Sequence, residues 1–249
     1  MTIGIGILCS EGMVFCADQQ ITQPGGHKFY EEKLYKVSGH GWSVVFTYAG
    51  SPDLMKGFLG AFSDHMASVG TAIDCEVIRS GIETVLATRY LSDDIAKLEL
   101  LCGAVIWGKG NRLFKNQAYS VGDAKSGLNI VGCGESSVLR YLESIVANWP
   151  IKTMNHAMWT AVYLIQAAKK WLDGCGGPTD LWVVLDSGAV VTKTSLVANI
   201  ERVAGMIESL TANVMSDFFA MVDETQLETE LRILSTRFRE EYSKRKNSP

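Results

Sequence analysis

Over the first fifty residues the apolar positions alternate or run in short blocks, and turn-forming residues break them. TIGIGIL at 2–8 alternates β-branched residues with glycine, SEG turns the chain, and MVFCAD at 13–18 is a second run, so the pair predicts a hairpin. QPGG marks a loop, KLYKV at 33–37 a short strand, SGHG a turn, and WSVVFTYAG at 42–50 a further strand ending at Gly50.

The period then changes. Leu54, Met55, Phe58, Leu59 and Phe62 fall at helical spacing behind Ser51-Pro52-Asp53, where serine suits a cap and proline the first helical position. Ile73, Val77, Ile78, Ile82, Val85 and Leu86 predict a second helix. Strand character returns in LLCGAVIWG, the turn KGN and RLFKNQAYSV, and NIVGCGESS leads through glycines into a helix over about 137–147. Another helix is expected from Thr153 to about Leu172, and DLWVVLDSGAVVTK closes the series as a hairpin.

Strands, two helices, strands, two helices and strands fit an α+β fold. Two antiparallel sheets face each other with helices outside both, a four-layer αββα sandwich in which each sheet buries one face on the other and one under helices. Residues 195–249 differ: Ile200, Val203, Ile207, Leu210, Val214, Phe218 and Met221 share one helix face, and Leu227, Leu231, Leu234, Phe238 and Tyr242 share another. The expected organisation is therefore a domain over 1–194 and an appended helical hairpin over 195–249.

Composition narrows the function. The chain has 249 residues with 47% hydrophobic and 20% charged side chains, which excludes extensive disorder. Its net charge of −4, with basic residues scattered apart from SKRKN near the end, argues against nucleic-acid binding. No apolar stretch approaches the roughly 18 to 20 residues of a membrane span, and no basic segment precedes the first apolar run, so neither membrane nor secretion is expected and the location is read as cytoplasmic. Six cysteines in mostly apolar context without a CxxC pair, and four dispersed histidines, give no support for a disulfide frame, a metal centre or a cofactor.

Candidate chemistry gathers at the start of the chain: Thr2 opening TIGIGI, Gly12 in the EG turn, Asp18 in FCADQQIT, Lys33 in EEKLYKV, Gly50 in TYAGSPD, the glycines of VGCG at 131–134, and Asp173 before CGG. In this order and spacing the chain resembles the proteasome β-type subunits and their bacterial relatives, the HslV and Anbu-like proteins, which are N-terminal-nucleophile (Ntn) hydrolases. The resemblance covers roughly residues 2–194.

Each matched residue then has a chemical reason. The resemblance implies that Thr2 becomes the first residue after removal of Met1; its hydroxyl is a weak nucleophile until a base takes its proton, and its own α-amine, which titrates near working pH, can serve. Lys33 as an ammonium beside it disfavours a second positive charge and favours the ionised oxygen, and Asp18 supplies the counter-charge that a buried lysine needs. Gly50, at the junction of strand and helix, offers its N–H to the oxyanion, a donor worth about 3 to 4 kcal/mol of barrier in other hydrolases. Asp173 completes the set.

Two departures stand out. Where active relatives usually hold serines near the terminal amine, this chain has Cys133 and Cys175, and Asp173 precedes Cys175 by one residue fewer than usual. A thiol is the weaker hydrogen-bonding group, so the two cysteines are assigned a supporting role, with small core-filling residues as the plain alternative. If Met1 is retained, the Thr2 nitrogen is an amide and no base is present.

By the same resemblance the substrate side chain would lie among Gln20, Ile21, Thr22, Glu31, Tyr48, Pro52 and Lys56, in a mainly apolar pocket with a charged rim. The implied activity is a threonine-type endopeptidase cleaving peptides or unfolded protein inside stacked homo-oligomeric rings, with an ATP-driven unfoldase left open as a partner. Two other readings remain: a catalytically silent ring subunit, and an Ntn amidase acting on small amides.

Overall fold

The computed structural model describes residues 3–23, 26–70, 72–123, 128–132, 144, 151, 153–220, 232, 233 and 236. Strand β1 (Ile3–Cys9) pairs antiparallel with β2 (Gly12–Asp18) on one side and with β10 (Leu128–Gly132) on the other, with Ile5 opposite Cys16 and Ile130. β2 also pairs with β11 (Thr179–Leu185), which carries β12 (Val190–Thr192), so the first sheet runs β10-β1-β2-β11-β12. The second runs β5 (Leu34–Gly39), β6 (Trp42–Gly50), β7 (Leu98–Ile106), β8 (Gly110–Gln117), β9 (Ser120–Asp123).

The alternation in TIGIGIL shows how the layers stack. Ile3, Ile5 and Ile7 are fully buried among Met158, Ala161, Leu164 and Ile165 of the helix α4 (Met154–Trp171). The glycines between them face the second sheet: a Cβ on Gly4 would stand 2.2 Å from Thr47 Oγ1 and 2.8 Å from Thr47 Cγ2, and one on Gly6 2.7 Å from Leu101 Cδ2. Side-chain volume is thus removed where the sheets approach. β2, covered on both faces, is buried along its whole length and reads as a continuous apolar run closed by Asp18.

Between the sheets lie Met13, Phe15, Ala17, Leu34, Val45, Ala49, Leu101 and Val105. On the outer face of the second sheet, α1 (Pro52–Ser68) and α2 (Cys75–Arg89) bury Met55, Phe58, Phe62, Ile78, Ile82 and Leu86. Phe58 and Phe62 stack at 5.8 Å and both meet Phe46 edge-on, at 5.5 and 5.3 Å. Helices, sheet, sheet and helices form the expected αββα sandwich. Ser51 caps α1 by accepting from the Leu54 N–H with Pro52 behind it, and Asp74 and Thr153 cap α2 and α4 in the same way.

Local differences from the sequence expectations have physical causes. A two-stranded ribbon flanks the expected loop, β3 (Gln20–Thr22) and β4 (Lys28–Tyr30), whose three-residue strands are too short to show a period. RLFKNQAYSV is two strands rather than one, folded back at Ala118, which takes φ 52°. Ile73 precedes α2, and a one-turn helix α3 (Ser92–Ile95) follows it. The helix expected over 137–147 lies outside the described residues except for helical Ser144.

The chain divides into two units, Met1–Glu201 and Arg202–Pro249, and the division falls inside α5 (Thr194–Ala220). The first unit holds both sheets. The second is helical where described, over 202–220 and at residues 232, 233 and 236, and the rest of the expected tail helix lies outside the described residues. Among the described residues no helix is long and apolar enough to cross a membrane.

The close approach at β1 gives a test of the sheet spacing. Gly4→Ala should lower stability by about 1 to 3 kcal/mol, and adding Thr47→Ala should recover at least half of the loss, read from urea unfolding midpoints. Strict additivity of the two changes would show that the strain arises elsewhere.

Candidate active site

β2 carries apolar side chains to its last residue and then ends on a carboxylate that no solvent reaches. Asp18 is fully buried, and so is Lys33, immediately before β5; Lys33 Nζ lies 2.8 Å from Asp18 Oδ1. An ion pair without solvent needs its remaining hydrogen-bonding capacity filled. For Asp18 it is: Oδ1 also accepts the Ile3 N–H at 3.0 Å, and Oδ2 accepts the N–H groups of Gln20 at 3.2 Å and Gly176 at 3.0 Å. Lys33 donates further to the Gln20 carbonyl at 2.6 Å.

Four segments therefore converge on one carboxylate: the start of β1, the start of β3, the residue before β5, and the loop after α4. That loop is held by several bonds. Leu172 caps α4 and its carbonyl accepts the Cys175 N–H at 2.9 Å; the Gly176 carbonyl accepts from Gln20 N–H at 3.1 Å; the Asp173 carbonyl accepts from Gln20 Nε2 at 3.2 Å and Lys28 Nζ at 3.3 Å. The side chain of Asp173 is exposed, while Cys175 is 5% exposed and packs in the apolar layer between the first sheet and α4.

Gly50 ends β6 with φ 126°, and a Cβ there would lie 1.8 Å from the Lys97 carbonyl oxygen, so no other residue fits its backbone. The Ser51 cap and α1 follow directly, which aims the orphan N–H groups of that helix toward the end of β6.

The other expected site residues are more dispersed in role. Ile21 is 7% exposed in β3, and the side chain of Gln20 reaches Thr22 Oγ1 at 3.4 Å. Glu31 and Lys56 pair with each other at 2.5 Å on the surface, and Pro52 is half-buried in the first turn of α1. Tyr48 turns the other way: its ring lies in the core between the second sheet and α1/α2, 6.1 Å from that of Tyr35, and burial pushes its hydroxyl pKa far up. Thr2 and Cys133 lie outside the described residues.

Sequence reasoning missed Gly176, whose N–H completes the Asp18 shell, and the main-chain carbonyl of Gln20. The Gly-Gly pair at 176–177 was a visible signal, because a carboxylate can receive a main-chain N–H this closely only where no side chain intervenes. It also missed Thr47, whose hydroxyl is buried beside Gly4 with no hydrogen-bond partner among the described residues. Asp180, one residue beyond the strand partner of Asp18, accepts from Gln19 Nε2 at 2.8 Å, and burial holds its carboxyl above the usual carboxylate range. Among the described residues no three His, Cys, Asp or Glu side chains cluster as metal ligands.

The fold has counterparts among solved structures. A Gly-1 mutant of Anbu from Hyphomicrobium sp. strain MC1 superposes with a TM-score of 0.69 at 16% identity, covering 90% of this chain and 99% of that one. Anbu (ancestral beta-subunit) from Yersinia bercovieri gives 0.69 at 17% identity, over 89% and 98%. The helical assembly of the Anbu complex from Pseudomonas aeruginosa gives 0.63 at 16%, over 89% and 98%. No protein-family model and no curated protein matches the chain. The chain therefore shares the fold of these Anbu structures, in agreement with the architecture that the sequence resemblance implied.

Two stability measurements follow from the charges. Lys33→Met leaves the Asp18 charge buried and should cost about 3 to 5 kcal/mol, whereas Asp18→Asn combined with Lys33→Met should cost less than the sum of the single changes, both read by denaturant unfolding. For Asp180 the sign is opposite to that of a stabilising carboxylate: with its folded-state pKa raised, it favours the fold when protonated and opposes it once ionised. The stability of Asp180→Asn relative to the parent should therefore rise between about pH 3 and about pH 7 in thermal unfolding, and a flat difference would contradict the assignment.

Proposed function

We propose that the chain is an N-terminal threonine peptidase of the proteasome-like type, active after loss of Met1. The observation that carries this reading is the fully buried Lys33–Asp18 pair whose carboxylate also takes the Ile3 amide, because the residue joined to that amide is Thr2. Fixing the amide that opens β1 on the same carboxylate as a buried ammonium is what a nucleophile at position 2 requires.

In the proposed reaction Thr2 Oγ attacks the peptide carbonyl while the Thr2 α-amine takes the hydroxyl proton. The ammonium of Lys33 keeps that amine neutral beforehand and favours negative charge on Oγ. The Gly50 N–H receives the oxyanion. When the tetrahedral intermediate collapses, the C–N bond breaks and the amine returns its proton to the departing amino group. Water then adds to the ester, the amine again accepting a proton, and the acid product leaves with Thr2 restored. Asp18 holds the ammonium in place; Asp173 and Cys175 sit on the loop bonded to it and support the geometry, and Cys133 belongs to the same supporting group.

Ile21, Thr22, Glu31, Pro52 and Lys56 form the proposed substrate side of this site, with Tyr48 backing it from the helix-facing core. The proposed substrate is a peptide or an unfolded protein. Repeated copies of the chain are proposed to enclose the sites, supported by the helical assembly described for the Pseudomonas aeruginosa neighbour; a repeated head-to-tail contact closes into a ring or winds into a helix according to its rotation. The packing of Cys175 as an apolar core group favours a second reading, a subunit with no activity that retains Met1.

Intact mass separates the two. The peptidase reading expects loss of one methionine, a peptidyl-boronate or epoxyketone adduct on Thr2, and a Thr2→Ala variant reduced by about 10³-fold or more in kcat/KM on a fluorogenic peptide. Retained Met1 without an adduct establishes the silent subunit, and turnover of amino-acid amides but not peptides establishes an amidase. Native mass spectrometry of the full chain checks self-assembly, for which a monomer at micromolar concentration is the contrary result.

A further inference from the structure

Gln20 joins two parts of the site that come from distant stretches of chain. Its main-chain N–H faces Asp18 Oδ2 and the Gly176 carbonyl, and its main-chain carbonyl accepts Lys33 Nζ at 2.6 Å. The side chain extends the same connection. Nε2 donates to the Asp173 carbonyl at 3.2 Å and reaches Thr22 Oγ1 at 3.4 Å, and the residue is only 5% exposed.

Gly176 makes room for it: a Cβ there would lie 2.5 Å from Gln20 Oε1. The loop and the amide are thus fitted to each other. Lys28 adds a second donor on the Asp173 carbonyl, at 3.3 Å and from the surface. Both N–H groups of the Gln20 amide are directed at protein partners, so the side chain has no donor left for an incoming peptide.

We propose that Gln20 is a positioning residue, which fixes the Lys33 ammonium through its carbonyl and the 173–176 loop through its amide, rather than a substrate-binding side chain. The proposal rests on the threonine-peptidase reading of the same site. Without the amide the Asp173 carbonyl keeps only Lys28, from the surface, the loop holds the Gly176 N–H less firmly on Asp18, and the ammonium shifts relative to the start of β1. A displacement of about 1 Å at such a group costs on the order of 100-fold in rate.

The experiment uses Gln20→Leu in the full chain, close in size but without donors. On a fluorogenic peptide kcat should fall about 10- to 100-fold while KM stays within about threefold. Iodoacetamide labelling of the buried Cys175, located by peptide mass mapping, should accelerate by about 10-fold or more as the loop opens. A rise in KM at unchanged kcat would make Gln20 a substrate contact and overturn the proposal, as would parental kcat together with parental labelling. If the parent hydrolyses no peptide yet Gln20→Leu speeds Cys175 labelling, the grip on the loop is supported and the peptidase reading is what fails. Gln20→Glu, which keeps the size and loses the donor once ionised, gives the same readouts at neutral pH should Gln20→Leu not fold.

Discussion

The ion pair between Lys33 and Asp18 constrains everything around it. Two opposite charges with no solvent contact are tolerated only where polar partners replace the lost water, and the chain brings four main-chain groups to the pair. Those partners belong to β1, β3 and the loop after α4, so the demand of one carboxylate fixes the relative placement of three segments. A purely apolar interior would hold the sheets together at least as well. The pair therefore identifies the end of β2 as the place where the fold accepts a cost in order to keep a charge.

The sheets are arranged to let that charge sit at their margin. Gly4 and Gly6 bring β1 against the second sheet, β2 is enclosed on both faces, and Asp18 is the first polar side chain along β2 from Met13. The bond from Ile3 to Asp18 closes the same end. Packing and chemistry share one strand pair, and a change in the spacing between sheets is also a change in the geometry of the site.

Much of this was legible in the residues. The period-2 and period-3.6 patterns located the long strands and helices, Ser51-Pro52 marked a helix start through a cap that depends only on local chemistry, and the fourth helix was expected from Thr153, where its cap lies. Asp18, Lys33 and Gly50 stood out through their order along the chain. What stayed hidden depends on distance in sequence or on which way a side chain faces. Gly176 meets Asp18 across 158 residues, a separation that no local pattern encodes. Tyr48 has the composition of a pocket residue, but alternation along β6 turns it to the helices and leaves Thr47 and Ala49 on the other face. The ribbon β3–β4 escaped because three residues cannot display a period.

The wide separation of Asp18 from its partner Gly176 bears on the order in which the protein takes shape during synthesis. The second sheet draws all five of its strands from residues 34–123, in sequence order, so it can form while translation continues. The first sheet waits for β10, β11 and β12, and the last donor to Asp18, the Gly176 N–H, arrives just before β11. A nascent or truncated chain that stops short of Gly176 thus carries Asp18 and Lys33 without the last donor of their shell, and the two charges meet before their surroundings are finished.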